Sequence, residues 1–248
     1  MSNEQEAGFY YMRLVRLISI ALILCSCINK KPVQEIAAQE TKTQFDLDLE
    51  AILSGDDPYL WILVDKNHAL PSDYEPQDLV KLTGTNKAYR INRNDMFLRE
   101  PAEIALEEMA KAAKADGLTL VASSAYRSYA YQDQLYARYA RQYGQQEADT
   151  FSARPGHSQH QLGLVVDFGS ITDAFADTAE GKWLAANALR YGWSLSYPKD
   201  YEDITGYKWE CWHYRYVGKE LAAFIDTYFD GIQQHALEYI NSCNSMLN

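Results

Sequence analysis

The sequence predicts an α+β domain: helical periodicities and short apolar runs are mixed along the chain, turn residues punctuate both, and no internal repeat divides it. Apolar density rises at Tyr59, and Leu60-Trp61-Ile62-Leu63-Val64 predicts a short buried segment that leads into a loop marked by Pro71 and Pro76. Pro101 opens a helix whose apolar positions include Ile104, Ala105, Met109 and Ala112, with Lys111 and Lys114 near its end and Gly117 after it. Leu118 to Ser123 reads as a strand, and residues 129–143 read as a helix that ends at Gly144. The apolar run from Leu162 to Phe168, interrupted only by Asp167, fits a central strand. A helix over roughly 178–191 is closed by Gly192, a strand-like stretch follows around Trp209 to Tyr214, and one or two helices finish the chain from about Lys219.

Charge narrows the function. The 248 residues carry 23 Lys+Arg against 34 Asp+Glu, a net charge of −11. That balance argues against a nucleic-acid partner, which needs clustered cations to neutralise phosphates. Apolar residues at 47% and aromatics at 13% are ample for a packed core, so the chain is not disordered. Four cysteines without a CxxC pair exclude a disulfide-built scaffold or a cysteine-rich zinc module. Any metal must therefore fall mainly to histidine and carboxylate.

The N-terminal part reads as an address. Arg13 and Arg16 precede an apolar run from Leu17 to Leu24 that is too short to span about 30 Å of hydrocarbon. Leu24-Cys25-Ser26-Cys27 resembles the bacterial lipobox, with Cys27 as the lipid-bearing residue; a plain signal peptide or an uncleaved anchor is the alternative, and Met12 is an alternative start. Residues 1–27 are thus expected to be an export signal, residues 28–58 a flexible acidic tether and residues 59–248 the main folded domain, placed in the cell envelope. Outside the cytoplasm Cys211 and Cys243 could form a disulfide or remain two buried thiols.

Three stretches carry chemistry: Ser158-Gln159-His160 through Asp167, Glu210-Cys211-Trp212-His213, and Ser123 through Tyr129 with Arg127 at its centre. His160, Asp167 and His213 are a ligand set that suits one catalytic zinc ion, which keeps its fourth position for water. With His160 in the loop before the strand, Asp167 in the strand and a turn at Gly163, both side chains can reach one place. Glu210, three residues before His213, can face the reacting water as general base, and Arg127 supplies a fixed positive charge for an oxyanion or a substrate carboxylate. His157, beside Pro155-Gly156, is a further candidate ligand.

The pattern Ser-x-His-x-x-Gly-x-x-x-Asp over 158–167, followed by Glu-x-Trp-His over 210–213, resembles the VanY-type D-alanyl-D-alanine carboxypeptidases, zinc peptidases of peptidoglycan. Ile62 to Lys66, Tyr74 to Leu79, Ala125 to Tyr129 with Gln132, and Gly192-Trp193 through Tyr207 extend the likeness over roughly 59–230. The resemblance implies helices packed on a small, mainly antiparallel sheet with zinc in the central cleft. It implies that His160, Asp167 and His213 bind the metal, Glu210 is the base, Arg127 stabilises charge at the scissile carbonyl, and Gln132 and Ser158 help hold the terminal D-alanine. Two positions depart from the family pattern: Val165 replaces Ala, and Cys211 replaces Pro beside the base, where a thiol could add a zinc contact or an oxidation hazard.

The expected activity is removal of the C-terminal D-alanine from peptidoglycan stem peptides by a monomeric enzyme. The rivals are an L,D-carboxypeptidase acting on tetrapeptide stems, an endopeptidase cutting cross-links and a non-catalytic peptidoglycan-binding lipoprotein. An arginine clamp for a terminal carboxylate disfavours the endopeptidase, because an internal bond offers no carboxylate there.

Overall fold

The computed structural model describes residues 42–247; the export signal, Cys27 and the first part of the tether lie outside the described residues. Lys42 onward packs as one unit, so it begins before Tyr59, inside the segment expected to be a tether. Helix α1 (Gln44–Leu53) occupies that segment, and its first turn is closed by a capping box in which Thr43 and Asp46 bond each other's backbone N–H. Its apolar residues Phe45, Leu49, Ile52 and Leu53 recur at helical spacing and pack on the end of the domain. The polar, acidic composition of α1 belongs to its solvent face.

Five strands build the main sheet: β2 (Arg90–Ile91), β4 (Val121–Ser124), β5 (Val165–Phe168), β6 (Trp193–Leu195) and β7 (His213–Tyr216), in the order β2-β4-β5-β7-β6. Only β2–β4 is parallel; the other pairings are antiparallel. A separate antiparallel pair is formed by β1 (Leu79–Lys81) and β3 (Phe97–Arg99).

Helix α2 (Glu100–Ala115) begins with Pro101 in its first turn beside Glu100 and Glu103, and Lys114 lies in its last turn, all matched to the helix dipole. It buries Ala102, Ala105, Leu106, Met109, Ala110 and Ala113, whereas Ile104, one of the apolar positions of the sequence pattern, is 60% exposed. The small residues on the buried stripe let α2 approach Leu98, Leu120, Ala122, Phe168 and Trp193 in the main core. Helix α3 (Tyr129–Tyr143) is capped by the Ser128 hydroxyl, which accepts from the Tyr131 N–H, and it leads through Gly144 into α4 (Gln145–Phe151). Helix α5 (Ala179–Asn187) is capped by Thr178, a short 3₁₀ turn carries the chain to Gly192, and α6 (Glu202–Thr205) sits in the connection from β6 to β7. Helices α7 (Lys219–Phe229) and α8 (Gln233–Leu247) close the end with α1 through Leu221, Phe224, Ile225, Ala236, Leu237 and Ile240. Among the described residues no helix is long and apolar enough to cross a membrane.

Cys211 and Cys243 are both free thiols. Cys211 lies in the turn before β7 with its sulfur 3.7 Å from the carbonyl oxygens of Thr172 and Asp173, while Cys243 sits on α8 beside Tyr239.

Gly163 is the turn that delivers β5. It has φ +68°, and a Cβ there would stand 2.9 Å from Cγ of Arg99 and 3.0 Å from Cδ2 of Leu79. Its carbonyl also accepts from the Arg99 N–H at 2.8 Å. Gly163→Ala is therefore expected to cost about 1–3 kcal/mol of stability, read from denaturant unfolding; an unchanged midpoint would contradict the close packing.

Candidate metal centre and cleft

Antiparallel register brings the site together. Asp167 on β5 stands directly opposite His213 on β7, and Ser124 on β4 faces Asp167 from the other side, across a register shift between Ala122 and Ser124. His160 reaches the same place from the 3₁₀ turn Gln159–Leu162 that precedes Gly163. One ligand atom from each of His160, Asp167 and His213 lies within 4.8 Å of the other two, and all three residues are buried.

The tautomer of each ring follows from its outer partner. His160 Nδ1 is 2.6 Å from the Ala125 carbonyl, so this nitrogen carries the proton and Nε2, 3.2 Å from Asp167 Oδ2, is a lone pair. His213 Nε2 faces Gln159 Oε1 at 3.3 Å, which leaves Nδ1 as the lone pair, 3.3 Å from both Asp167 Oδ1 and Glu210 Oε2. Asp167 Oδ1 has no hydrogen-bond donor despite being buried. Three potential ligand atoms thus converge in a buried site, a donor set that suits a cation.

Charge follows the same layout. Burial, and then the Arg127 charge, push the His160 pKa down to about 4, so this ring is neutral. Burial would raise Asp167, but His160, His213 and Arg127 hold it well below the usual carboxylate range. Burial likewise opposes charge on His213, but Asp167 and Glu210 more than offset it and favour a positive charge at Nδ1. Glu210 is raised, chiefly by burial, only partly countered by His213. It sits in the turn before β7, where the His213 N–H donates to its carbonyl at 3.1 Å, so its carboxylate lies beside the ligand set as the three-residue spacing predicts.

Arg127 is tied in twice. Its backbone N–H donates to the His160 carbonyl at 3.3 Å, and its Nη2 donates to Asp167 Oδ2 at 2.7 Å and to Ser124 Oγ at 2.8 Å. Its side chain keeps 20% exposure, toward the cleft.

That cleft has a volume of about 420 Å³. Arg127, Gln132, Ser158, Glu210 and the three ligand residues line it together, with Tyr139, Tyr143 and Phe151 from α3 and α4 on one wall. Gln132 donates from Nε2 to the Ala153 carbonyl at 2.7 Å, leaving its Oε1 buried without a donor. His157, the further candidate ligand, is not part of the cluster: its Nδ1 is 2.8 Å from the Asp65 carbonyl and the ring lines a different cavity. Cys211 makes no contribution either, because its sulfur faces the 172–173 carbonyls and burial pushes the thiol pKa up.

Two groups of residues were given no role from the sequence. Tyr197 packs its ring 4.7 Å from that of His213 and, with Tyr207 and Trp212, lines the cleft. Gln159 fixes His213 and is itself held by Ser196 Oγ at 2.7 Å and approached by Gln233 of α8 at 3.4 Å. The available signal was a pair of amides, Gln159 and Gln161, flanking a motif histidine. Gln159→Leu is expected to weaken metal binding about 10- to 100-fold by releasing the His213 ring, measured by competition with a chromogenic chelator; unchanged affinity would show that the ring is held by packing alone.

A family model described as VanY, D-alanyl-D-alanine carboxypeptidase, matches residues 95–219, half of the chain. A D-alanyl-D-alanine carboxypeptidase of Enterococcus faecalis (strain ATCC 700802 / V583) is 33% identical over 193 residues, covering 73% of this chain and 65% of that one. The chain spans 58–65% of the length of three curated relatives that it matches. The solved LdcB LD-carboxypeptidase is 37% identical, with a TM-score of 0.67 over 74% of this chain and 88% of that one. A solved mutant of the vancomycin-resistance D,D-pentapeptidase VanY, in complex with Zn(II), is 30% identical, with a TM-score of 0.60 over 72% of this chain and 99% of that one. With the motifs, the fold and half of the chain in agreement, the chain belongs to the VanY family of D-alanyl-D-alanine carboxypeptidases.

Proposed function

We propose that the protein is a zinc carboxypeptidase that removes the terminal D-alanine from peptidoglycan stem peptides. The observation that carries this reading is the convergence of three buried metal-ligating groups, His160, Asp167 and His213, beside a carboxylate whose pKa is raised. A zinc ion held by those residues supplies Lewis acidity, polarising a carbonyl and making water acidic near neutral pH. Glu210, raised by burial, suits the exchange of one proton, taken from the attacking water and returned to the leaving amine. Arg127 offers fixed positive charge to the substrate's terminal carboxylate or to developing negative charge at the cut carbonyl. The acceptor left over on Gln132 and the Ser158 hydroxyl line the same cleft and suit the polar groups of the terminal residue.

An L,D-carboxypeptidase is the second reading, favoured by the likeness to LdcB. Mass spectrometry of defined pentapeptide and tetrapeptide stems separates the two. Loss of one alanine from the pentapeptide supports the first reading, and loss only from the tetrapeptide overturns it in favour of the second.

The N-terminal residues support export and lipid attachment at Cys27, which would place a monomeric, membrane-anchored enzyme in the cell envelope, near peptidoglycan. Cys27→Ser is expected to move the protein from the membrane fraction to the soluble fraction; retention in the membrane would point to an uncleaved anchor.

A further inference from the structure

The segment from Asp149 to Ser158 has two sides. Phe151, Ser152, Ala153 and Ser158 line the metal cleft, whereas Asp149, Arg154 and His157 line a second cavity of about 220 Å³ completed by Lys66 and Tyr207. Tyr207 borders both spaces, so the second cavity adjoins the metal cleft across one side chain.

Its charges do not balance. Asp149 is the only acid among its lining residues, and its carboxylate is already taken: Arg154 binds it through Nε at 3.0 Å and Nη2 at 2.8 Å, and the Tyr136 hydroxyl donates to it at 2.7 Å. Lys66 bonds only the main-chain oxygen of Asp149 and lies 3.9 Å above the Tyr207 ring, with no ion-pair partner among the described residues. The neighbouring Asp65 carboxylate is spent on the backbone N–H groups of Asn67 and His68, the His68 ring and Gln234. Lys66 is also held in place: its stem packs against Gly206, where a Cβ would stand 2.7 Å from Cε of Lys66. A half-buried Lys66 ammonium beside the Arg154 guanidinium thus gives this pocket an excess of positive charge in a strongly acidic protein.

We propose that this pocket is a carboxylate-binding subsite, which holds an acidic group carried by the peptide upstream of the bond that is cut. The inference rests on the stem-peptide reading above. Such a peptide carries a suitable group in the free α-carboxylate of its γ-linked D-glutamate, and amidation removes that charge.

The test uses the zinc-loaded full chain and two stem peptides of the length it cuts, identical except that one bears the glutamate carboxylate and the other its carboxamide. The wild type is expected to prefer the acidic peptide about tenfold in kcat/KM, expressed in KM, the size of a hydrogen bond to a charged group. Lys66→Met erases the preference by lowering kcat/KM for the acidic peptide, and Lys66→Arg retains it. The carboxamide peptide serves as the internal reference for folding. Equal cleavage of both peptides by the wild type, a preference that survives in Lys66→Met, or an equal loss on both peptides overturns the subsite and leaves the peptidase reading standing. Cleavage of neither peptide by the wild type overturns both.

Discussion

Replacing Glu210 with Gln is expected to lower turnover of a stem peptide by about 10²- to 10⁴-fold, the range that a positioned general base supplies. Metal content should not change, because Glu210 is not one of the three converging ligand residues. The amide keeps the size of the carboxylate, so the turn before β7, held by the His213 N–H to Glu210 carbonyl bond, is preserved. What disappears is the capacity to accept a proton at a place where burial has already raised the affinity for one. The measurement is steady-state release of D-alanine together with zinc content by atomic emission. Full turnover by a zinc-loaded variant would remove Glu210 from the proton path.

Asp167→Asn should have an effect of another kind. Asp167 is the one anionic member of the candidate ligand set, and it also neutralises Arg127 through the 2.7 Å contact. Asparagine preserves the volume and one acceptor but removes the charge that both neighbours use. Metal affinity is expected to fall further than the roughly 10- to 100-fold that follows loss of an outer hydrogen-bond partner such as Gln159. Stability should fall by about 1–2 kcal/mol, less than for a fully buried pair because the Arg127 side chain is 20% exposed and solvent shares in its charge. Chelator competition and thermal unfolding of the metal-free protein read the two effects separately. Undiminished metal affinity would contradict the ligand assignment.

The candidate ligand residues were legible in the sequence because the motifs place chemically distinctive side chains at fixed intervals. Their meeting depends on something that intervals do not encode: the β5–β7 register that sets Asp167 opposite His213, and the shifted β4–β5 register that brings up Ser124 and, through it, Arg127. Gln159 was hidden for a related reason, since an amide acquires a role only when a partner ring and a serine from β6's far end arrive beside it. In the fold, Pro101, Gly144, Gly163 and Gly192 marked real boundaries.

Helix α1 was obscured by composition. Its four apolar residues do follow a helical stripe, but the many acids between them resemble a solvated tether until the stripe meets α7 and α8. Ile104 erred in the opposite way: a large apolar residue in a helical period suggested burial, while small alanines on the adjacent stripe are what allow α2 to sit close to the sheet. Cys211, beside the base in sequence, points elsewhere because the turn from Glu210 to His213 sends neighbouring side chains in different directions.

His160, Asp167 and His213 are proposed to hold the metal with which Glu210 frees a terminal D-alanine. The most direct measurement is D-alanine release from a peptide ending in D-alanyl-D-alanine by the purified full chain, before and after removal of metal and again after zinc is restored. Release that stops on chelation and returns with about one zinc per chain is the predicted result. Release that continues undiminished in metal-free protein, or a product that is the alanyl-alanine dipeptide instead of D-alanine, would contradict it.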